Sequence, residues 1–286
     1  MGLGLAAAIV AALAYGLASV LQARAAGDEG PSDGKPTLRS TIATMLALPF
    51  LLGMALDVIG FVGNLIADRE LPLFLAQPIV AASLIVTAVA AGVFLRVVLS
   101  RRDKLAIITV VVALVVLSSV AGQEGDLGSG WAGAHHAVMH GGVLVAAGVL
   151  IVGGLVLLKA STGPMVAAAA GLTAGALFGV MATSVRIVDG VDPFELPHLL
   201  TDPAAYAVVV AGVGGFYLFT VALQAGSVNA AAAALVVGET VIPGAVGLTL
   251  LGDQIRAGWA PVAVLAFILA VAGAATIALG QVGELG

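Results

Sequence analysis

Residues Val228 to Leu250 read VNAAAAALVVGETVIPGAVGLTL, and this stretch decides the fold. It is apolar for longer than the roughly 20 residues that a helix needs to cross a bilayer. Glu239 stands near its middle and Pro243 four residues later. Proline has no N–H to offer the carbonyl four residues back, so a helix running through Pro243 leaves the Glu239 carbonyl without its usual donor. One turn thus carries an ionisable side chain and a freed carbonyl. Both are costly in hydrocarbon unless they face a cavity, water, an ion or another helix. The plain alternative is a protonated Glu239 bonded to a neighbouring helix, with Pro243 as a packing kink.

The rest of the chain agrees with a membrane setting. Of its 286 residues 61% are hydrophobic and 9% charged, with a mean hydropathy of +1.16, whereas a soluble domain carries about 25% charged residues. Ala, Gly and Val dominate and aromatics are few, which suits helices that approach closely through small side chains. The same Gly/Ala-rich faces could pair two copies as a homodimer. Long apolar runs without two-residue alternation exclude an outer-membrane barrel. With no cysteine, disulfides, thiolate metal sites and cysteine nucleophiles are excluded. There is no Gly-rich phosphate loop, no Gly-x-Ser-x-Gly elbow and no repeated aspartate cluster, so an enzyme, a resident cofactor and a nucleic-acid partner are not expected.

Apolar windows predict an all-α bundle of nine transmembrane helices, at about 3–25, 41–66, 71–99, 103–122, 136–158, 164–188, 203–224, 228–250 and 258–281. No positive n-region precedes the first, so it reads as a retained helix and not a signal peptide. Asp202-Pro203 marks the start of the seventh as an N-cap followed by proline at the first helical position. The polar connections are too short for a second domain, and the chain is expected to be one membrane domain over 1–286.

Lys and Arg placement sets the orientation. With the N-terminus outside, eight bases (Arg24, Lys35, Arg39, Arg96, Arg101, Arg102, Lys104, Lys159) fall inside and three (Arg69, Arg186, Arg256) outside. The C-terminus is then inside, as in a multi-pass protein of the cytoplasmic (plasma) membrane. Nine acids fall outside: Asp68, Glu70, Glu124, Asp126, Asp189, Asp192, Glu195, Asp202 and Asp253. They make an acidic mouth that would concentrate cations, or simply mirror the positive-inside rule.

The chain also repeats itself. Gly60-Phe61 in span 2 and Gly215-Phe216 in span 7 fall at the same place, and Tyr15-Gly16 in span 1 answers Phe178-Gly179 in span 6. Helices 1–4 (about 1–122) and 6–9 (about 164–281) thus read as two copies joined by helix 5 (about 136–158). The odd number between them inverts one copy relative to the other, a mark of secondary transporters whose site lies where the copies meet.

Helical spacing puts Pro49, Gly53, Asp57, Gly60 and Asn64 on one stripe of span 2. Span 1 offers Tyr15, Ser19 and Gln22, span 7 offers Tyr217 and Gln224, and spans 3 and 8 add Gln77-Pro78 and Glu239 with Pro243. Turned inward, these stripes predict a polar cavity bounded by helices 1, 2, 3, 7 and 8, with Pro49, Pro78 and Pro243 as helix breaks. Interhelical hydrogen bonds are the alternative, at about 0.6 kcal/mol each. Asp57 and Glu239 cost too much to serve as that glue alone, and they are the candidate cation ligands. His136 and His140 have a chelating i, i+4 spacing without an evident third ligand. They read as interfacial residues, with a proton-linked role as the alternative. Arg186 and Asp189 read as a surface pair.

The segments Tyr15-Gly-Leu-Ala-Ser-Val-Leu-Gln22, Leu71-Pro-Leu-Phe-Leu-Ala-Gln-Pro78 and Leu250-Leu251-Gly252-Asp253 resemble the drug/metabolite transporter superfamily (EamA-like). Nine spans, an outside N-terminus and the Val-Leu-Gln of the first helix are most similar to its NIPA-type magnesium-transporter branch. Phe94-Leu95-Arg96 and a lone Arg24 depart from the family pattern. The resemblance implies an alternating-access carrier, and it leaves the cargo open. The expected function is therefore transport of a small solute or cation through a midplane cavity, with Mg²⁺ or H⁺ as transported or coupling ion at Glu239 and Asp57. The remaining path would be lined by Gln22, Asn64, Gln77, Tyr15, Tyr217 and Gln224. A Mg²⁺ carrier is one version, although two isolated acids are a sparse ligand supply for that ion. A flippase or accessory subunit for a lipid-linked sugar and a non-transporting scaffold are the other readings.

Overall fold

The computed structural model describes residues 2–28, 46–94, 101–123, 125, 130–160, 164–191, 194–224 and 228–281. The chain runs through α1 (Gly2–Asp28), α2 (Leu48–Glu70), α3 (Leu73–Ala81), α4 (Ser83–Phe94), α5 (Arg101–Val120) and α6 (Gly130–Ala134). It continues through α7 (His136–Ala160), α8 (Pro164–Ile187), α9 (Leu196–Thr201), α10 (Pro203–Gln224), α11 (Val228–Val246), a π turn (Gly247–Leu251) and α12 (Ala260–Gln281). Six apolar segments are long enough to cross a membrane: Gly2–Leu21, Leu48–Glu70, Leu73–Ala90, His136–Lys159, Ala169–Ile187 and Ala234–Leu251. Lys104–Val120, Pro203–Phe219 and Ala260–Thr276 are shorter apolar helices. This all-helical architecture fits a multi-pass membrane protein.

Small residues set the helix spacing. A Cβ on Gly63 of α2 would stand 2.8 Å from the Ala7 carbonyl of α1, an approach only a glycine permits. α1 packs on α2 and α4, α8 packs on α10 and α11, and α7 lies against α8 and α10. α5 pairs with α12, while α3 sits between α1 and α11. Among the described residues two large apolar cores stand out beside smaller clusters. One joins α1, α3, α5 and α12 through Ala8, Phe74, Leu117 and Ala266; the other joins α7, α8 and α10 through Val143, Leu177 and Ala207. Large side chains such as Val145, Val149 and Val152 of α7 face outward, the inverse of a soluble helix, as expected where lipid replaces water.

Three expected breaks fare differently, and Pro243 stays inside the continuous α11. The third apolar path is two helices, α3 and α4, with a turn at Ala82 one turn beyond Pro78; Pro78 itself stays inside α3 and leaves the Phe74 carbonyl without its usual donor. Pro49 breaks nothing: it stands in the first turn of α2, where its missing N–H would lack an intrahelical partner anyway. Residues 41–45 and 95–99 of the expected spans lie outside the described part.

At the end of α5 the backbone of Val120 to Gln123 pairs with that of Gln254 to Arg256, through Gly122 N–H to Gln254 O at 2.9 Å and Arg256 N–H to Val120 O at 3.0 Å. Gly252, at φ 77°, makes this join. A left-handed residue there turns the chain out of the π turn, and an L side chain resists that conformation.

Candidate functional site

α1, α2, α3, α4, α8 and α11 line a cavity of about 240 Å³ whose polar wall is Tyr15, Asn64, Gln77, Ser83 and Glu239. Phe178 and Met181 of α8 close the other side. Glu239 is half-buried and makes no hydrogen bond or ion pair with any described residue. The Asn64 Oδ1 is buried without a partner, so two acceptors on this wall are left for whatever enters. Tyr15 lies within electrostatic reach of Asp57, Asp68 and Glu239. Asp57 itself is half-buried and is not part of the wall.

The helix bounding this cavity on the second half is α8, not the expected seventh span. Tyr217 of α10 is 56% exposed and points away, because α10 buries its small face, Ala204, Ala207 and Ala211. α8 can reach the cavity since α8 and α11 touch backbone to backbone: a Cβ at Gly238 would lie 2.8 Å from the Gly175 carbonyl carbon and the Leu172 oxygen. Gln22 and Gln224 lie on α1 and α10, with their side chains outside the described part.

From the cavity a buried polar chain runs toward one end of the bundle. Gln77 Nε2 donates to Asp68 Oδ1 at 2.6 Å, and the Arg186 guanidinium attracts the same carboxylate. Arg186, 3% exposed, donates through Nη1 to the carbonyls of Asp68 (3.1 Å), Arg69 (3.2 Å) and Leu71 (2.7 Å), and through Nη2 to Asp253 Oδ1 (3.4 Å). Arg69 answers by donating to the carbonyls of Val185 (3.2 Å) and Val188 (3.0 Å). Each arginine thus satisfies the orphan carbonyls at the C-terminus of the other's helix. Asp253 completes the join, accepting from Leu73 N–H (2.8 Å) at the start of α3 and from Gly125 N–H (3.0 Å).

This overturns two readings. Arg186 pairs with Asp253 and not with Asp189, and it is buried. The acidic mouth also shrinks, since Asp68, Asp202 and Asp253 are buried and engaged, while Glu124, Asp126 and Asp192 lie outside the described residues. Extending the Gly53, Asp57, Gly60, Asn64 stripe by one turn reaches Asp68, so the helical spacing itself carries the signal for this residue.

At the same end, His136 Nε2 lies 2.8 Å from Asp189 Oδ2 and His140 Nδ1 lies 2.7 Å from Asp202 Oδ1. Asp202 caps α10 as its sequence predicts, accepting from Ala204 N–H at 2.8 Å, and its Oδ2 accepts from Asp189 N–H at 2.7 Å. Burial raises the Asp202 carboxyl, but the Asp189 N–H, the His140 ring and the Ala204 N–H outweigh it and hold the group below the ordinary value of 3.8. A depressed folded-state value means stability present above the unfolded pKa and lost as pH falls through the folded one. Thermal melts of detergent-purified protein should therefore lose stability as pH falls below about 3.9. Asp202→Asn should flatten that acid limb; an unchanged limb would show that Asp202 does not contribute to it.

Comparison with protein-family models, curated proteins and solved structures finds no match.

Proposed function

We propose that the chain is a secondary membrane carrier in which a small polar solute or hydrated cation enters the Glu239 cavity by alternating access. The observation that carries this reading is an ionisable side chain facing a partly polar cavity without a protein partner among the described residues. A scaffold would pair that carboxylate internally. About 240 Å³ holds roughly eight water volumes, which suits a small cargo and is too little for a lipid-linked sugar. Asn64, Gln77 and Tyr15 would orient the cargo, and Glu239 would take the coupling proton or the cation itself. A Mg²⁺ cargo would have to keep most of its water here, since one facing carboxylate is a sparse ligand supply for that ion.

The packing supports two inverted copies within nine crossings. The Tyr15 ring lies on Gly60, where a Cβ would stand 2.8 Å from it, as the Phe178 ring lies on Gly215, at 3.0 Å. Gly16 faces Val86 of α4 as Gly179 faces Pro243 of α11. α1 then corresponds to α8, α2 to α10, and α3–α4 to α11. With the Arg186 end outside, as the basic residues favour, the arginine join closes the outer gate of a plasma-membrane carrier.

The test is uptake into liposomes of Mg²⁺ and a panel of small metabolites. Glu239→Gln should reduce transport of the true cargo about 10- to 100-fold, the value of a hydrogen bond to a charged group. Tyr217→Phe, outside the cavity, should leave it unchanged. Wild-type rates in folded Glu239→Gln would remove this residue from the path, and the proposal with it.

A further inference from the structure

We propose that His136, His140 and Asp189 form a binding site for a Zn²⁺-class divalent ion, separate from the Glu239 cavity. Among the described residues they are the group of three metal-ligating side chains that converges, with one ligand atom from each lying within 4.8 Å of the others. The two imidazoles project from the first turns of α7 and stack, centroids 3.9 Å apart. Asp189 arrives from beyond the end of α8, 53 residues away in sequence.

The surroundings resemble a metal site's outer layer. Asp202 accepts from His140 at Nδ1, which leaves Nε2 with its lone pair. A carboxylate on the far nitrogen is the usual means of fixing a liganding histidine's tautomer and ring angle. Asp202 Oδ2 also holds the Asp189 backbone N–H, so one buried carboxylate positions two of the three ligands. His140 and Asp202 are buried, whereas His136 and Asp189 side chains are 56% and 54% exposed. The site therefore has a rigid floor and an accessible rim.

Two imidazoles with one carboxylate select Zn²⁺ and its neighbours over the harder Mg²⁺ and Ca²⁺, which want oxygen ligands throughout. Three protein ligands leave a fourth tetrahedral position for water. Ligand atoms around such an ion stand about 3.4 Å apart at bond lengths of about 2.0–2.1 Å. Binding thus requires only that the exposed His136–Asp189 contact open and the set draw inward. The ion would tie the start of α7 to the segment that follows α8. His135 takes no part: it stacks on Trp131 and bonds its carbonyl.

The test uses full-length protein purified in detergent without a polyhistidine tag and stripped with chelator. Co²⁺ is titrated and read by its visible tetrahedral absorption, and Zn²⁺ or Mg²⁺ is added in competition. One Co²⁺ per chain should bind, displaced by equimolar Zn²⁺ and not by Mg²⁺, and Zn²⁺ should raise the melting temperature. His136→Ala and Asp189→Asn, both on the exposed rim, should weaken binding at least about tenfold, and Asp202→Asn about 10- to 100-fold. His135→Ala should bind as wild type. Absence of Co²⁺ binding, displacement by Mg²⁺, or unchanged affinity in folded His136→Ala would overturn the site.

Discussion

Arg186→Met should lower the unfolding free energy of the purified protein by about 3–5 kcal/mol, the cost of breaking a buried ion pair from one side. The side chain is almost fully enclosed and binds three carbonyls and a carboxylate. Its removal strands the C-terminal carbonyls of α2, which have no intrahelical donors, and leaves Asp253 buried with only its two backbone N–H partners. Methionine fills much of the volume, so the loss reports the polar groups and not a cavity. Arg186→Lys should recover little of it, because one ammonium cannot match the planar fork that spans α2 and Asp253. Combined with Asp253→Asn, the Arg186→Met loss should be smaller than the sum of the two singles, with a coupling of about 0.5–3 kcal/mol. Thermal or denaturant titration in detergent measures all three. A loss under about 1 kcal/mol for Arg186→Met would mean that the arginine join does not hold the two halves together.

That join also shows where sequence reasoning stops. Asp68 and Arg186 sit at the ends of apolar runs, where charge ordinarily means contact with water, and no linear pattern states that the ends of α2 and α8 meet. Helix type and the inward turn of Tyr15, Asn64, Gln77 and Glu239 were legible, since a polar group among apolar neighbours has few places to go. The wall supplied by α8 was not legible, because Phe178 and Met181 carry no polar signal. Tyr217 turns outward for the opposite reason: α10 buries alanine and exposes Tyr206, Phe216 and Tyr217, so polarity does not mark the inner face of that helix. The His136–His140 spacing was visible, whereas Asp189 comes to it only through the fold. The Leu250-Leu251-Gly252-Asp253 and Leu71-Pro72 segments, far apart in sequence, are physically joined. Gly252 makes the turn and Asp253 takes the first N–H of α3.

Gly175→Ala should both destabilise the protein and abolish transport through the cavity. A Cβ at Gly175 would overlap the Leu235 carbonyl oxygen and stand 3.0 Å from the Glu239 backbone nitrogen. Backbone cannot rotate aside as a side chain can, so α8 and α11 must separate. Overpacking of this kind costs about 1–3 kcal/mol, and here the strain falls on the turn that carries Glu239. Gly148→Ala on α7, where an added Cβ meets nothing within 4 Å, should leave melting temperature and uptake as in wild type. The pair therefore separates contact from a general effect of losing glycine. Because α8 bears Phe178 and Met181 on the opposite wall, parting the two helices would misplace the proposed cargo and the carboxylate together. Uptake should fall further than the stability loss accounts for when both are measured on the folded fraction. A Gly175→Ala protein that transports normally would show that the α8–α11 contact tolerates separation, and that the position of Glu239 against α8 does not matter to the path.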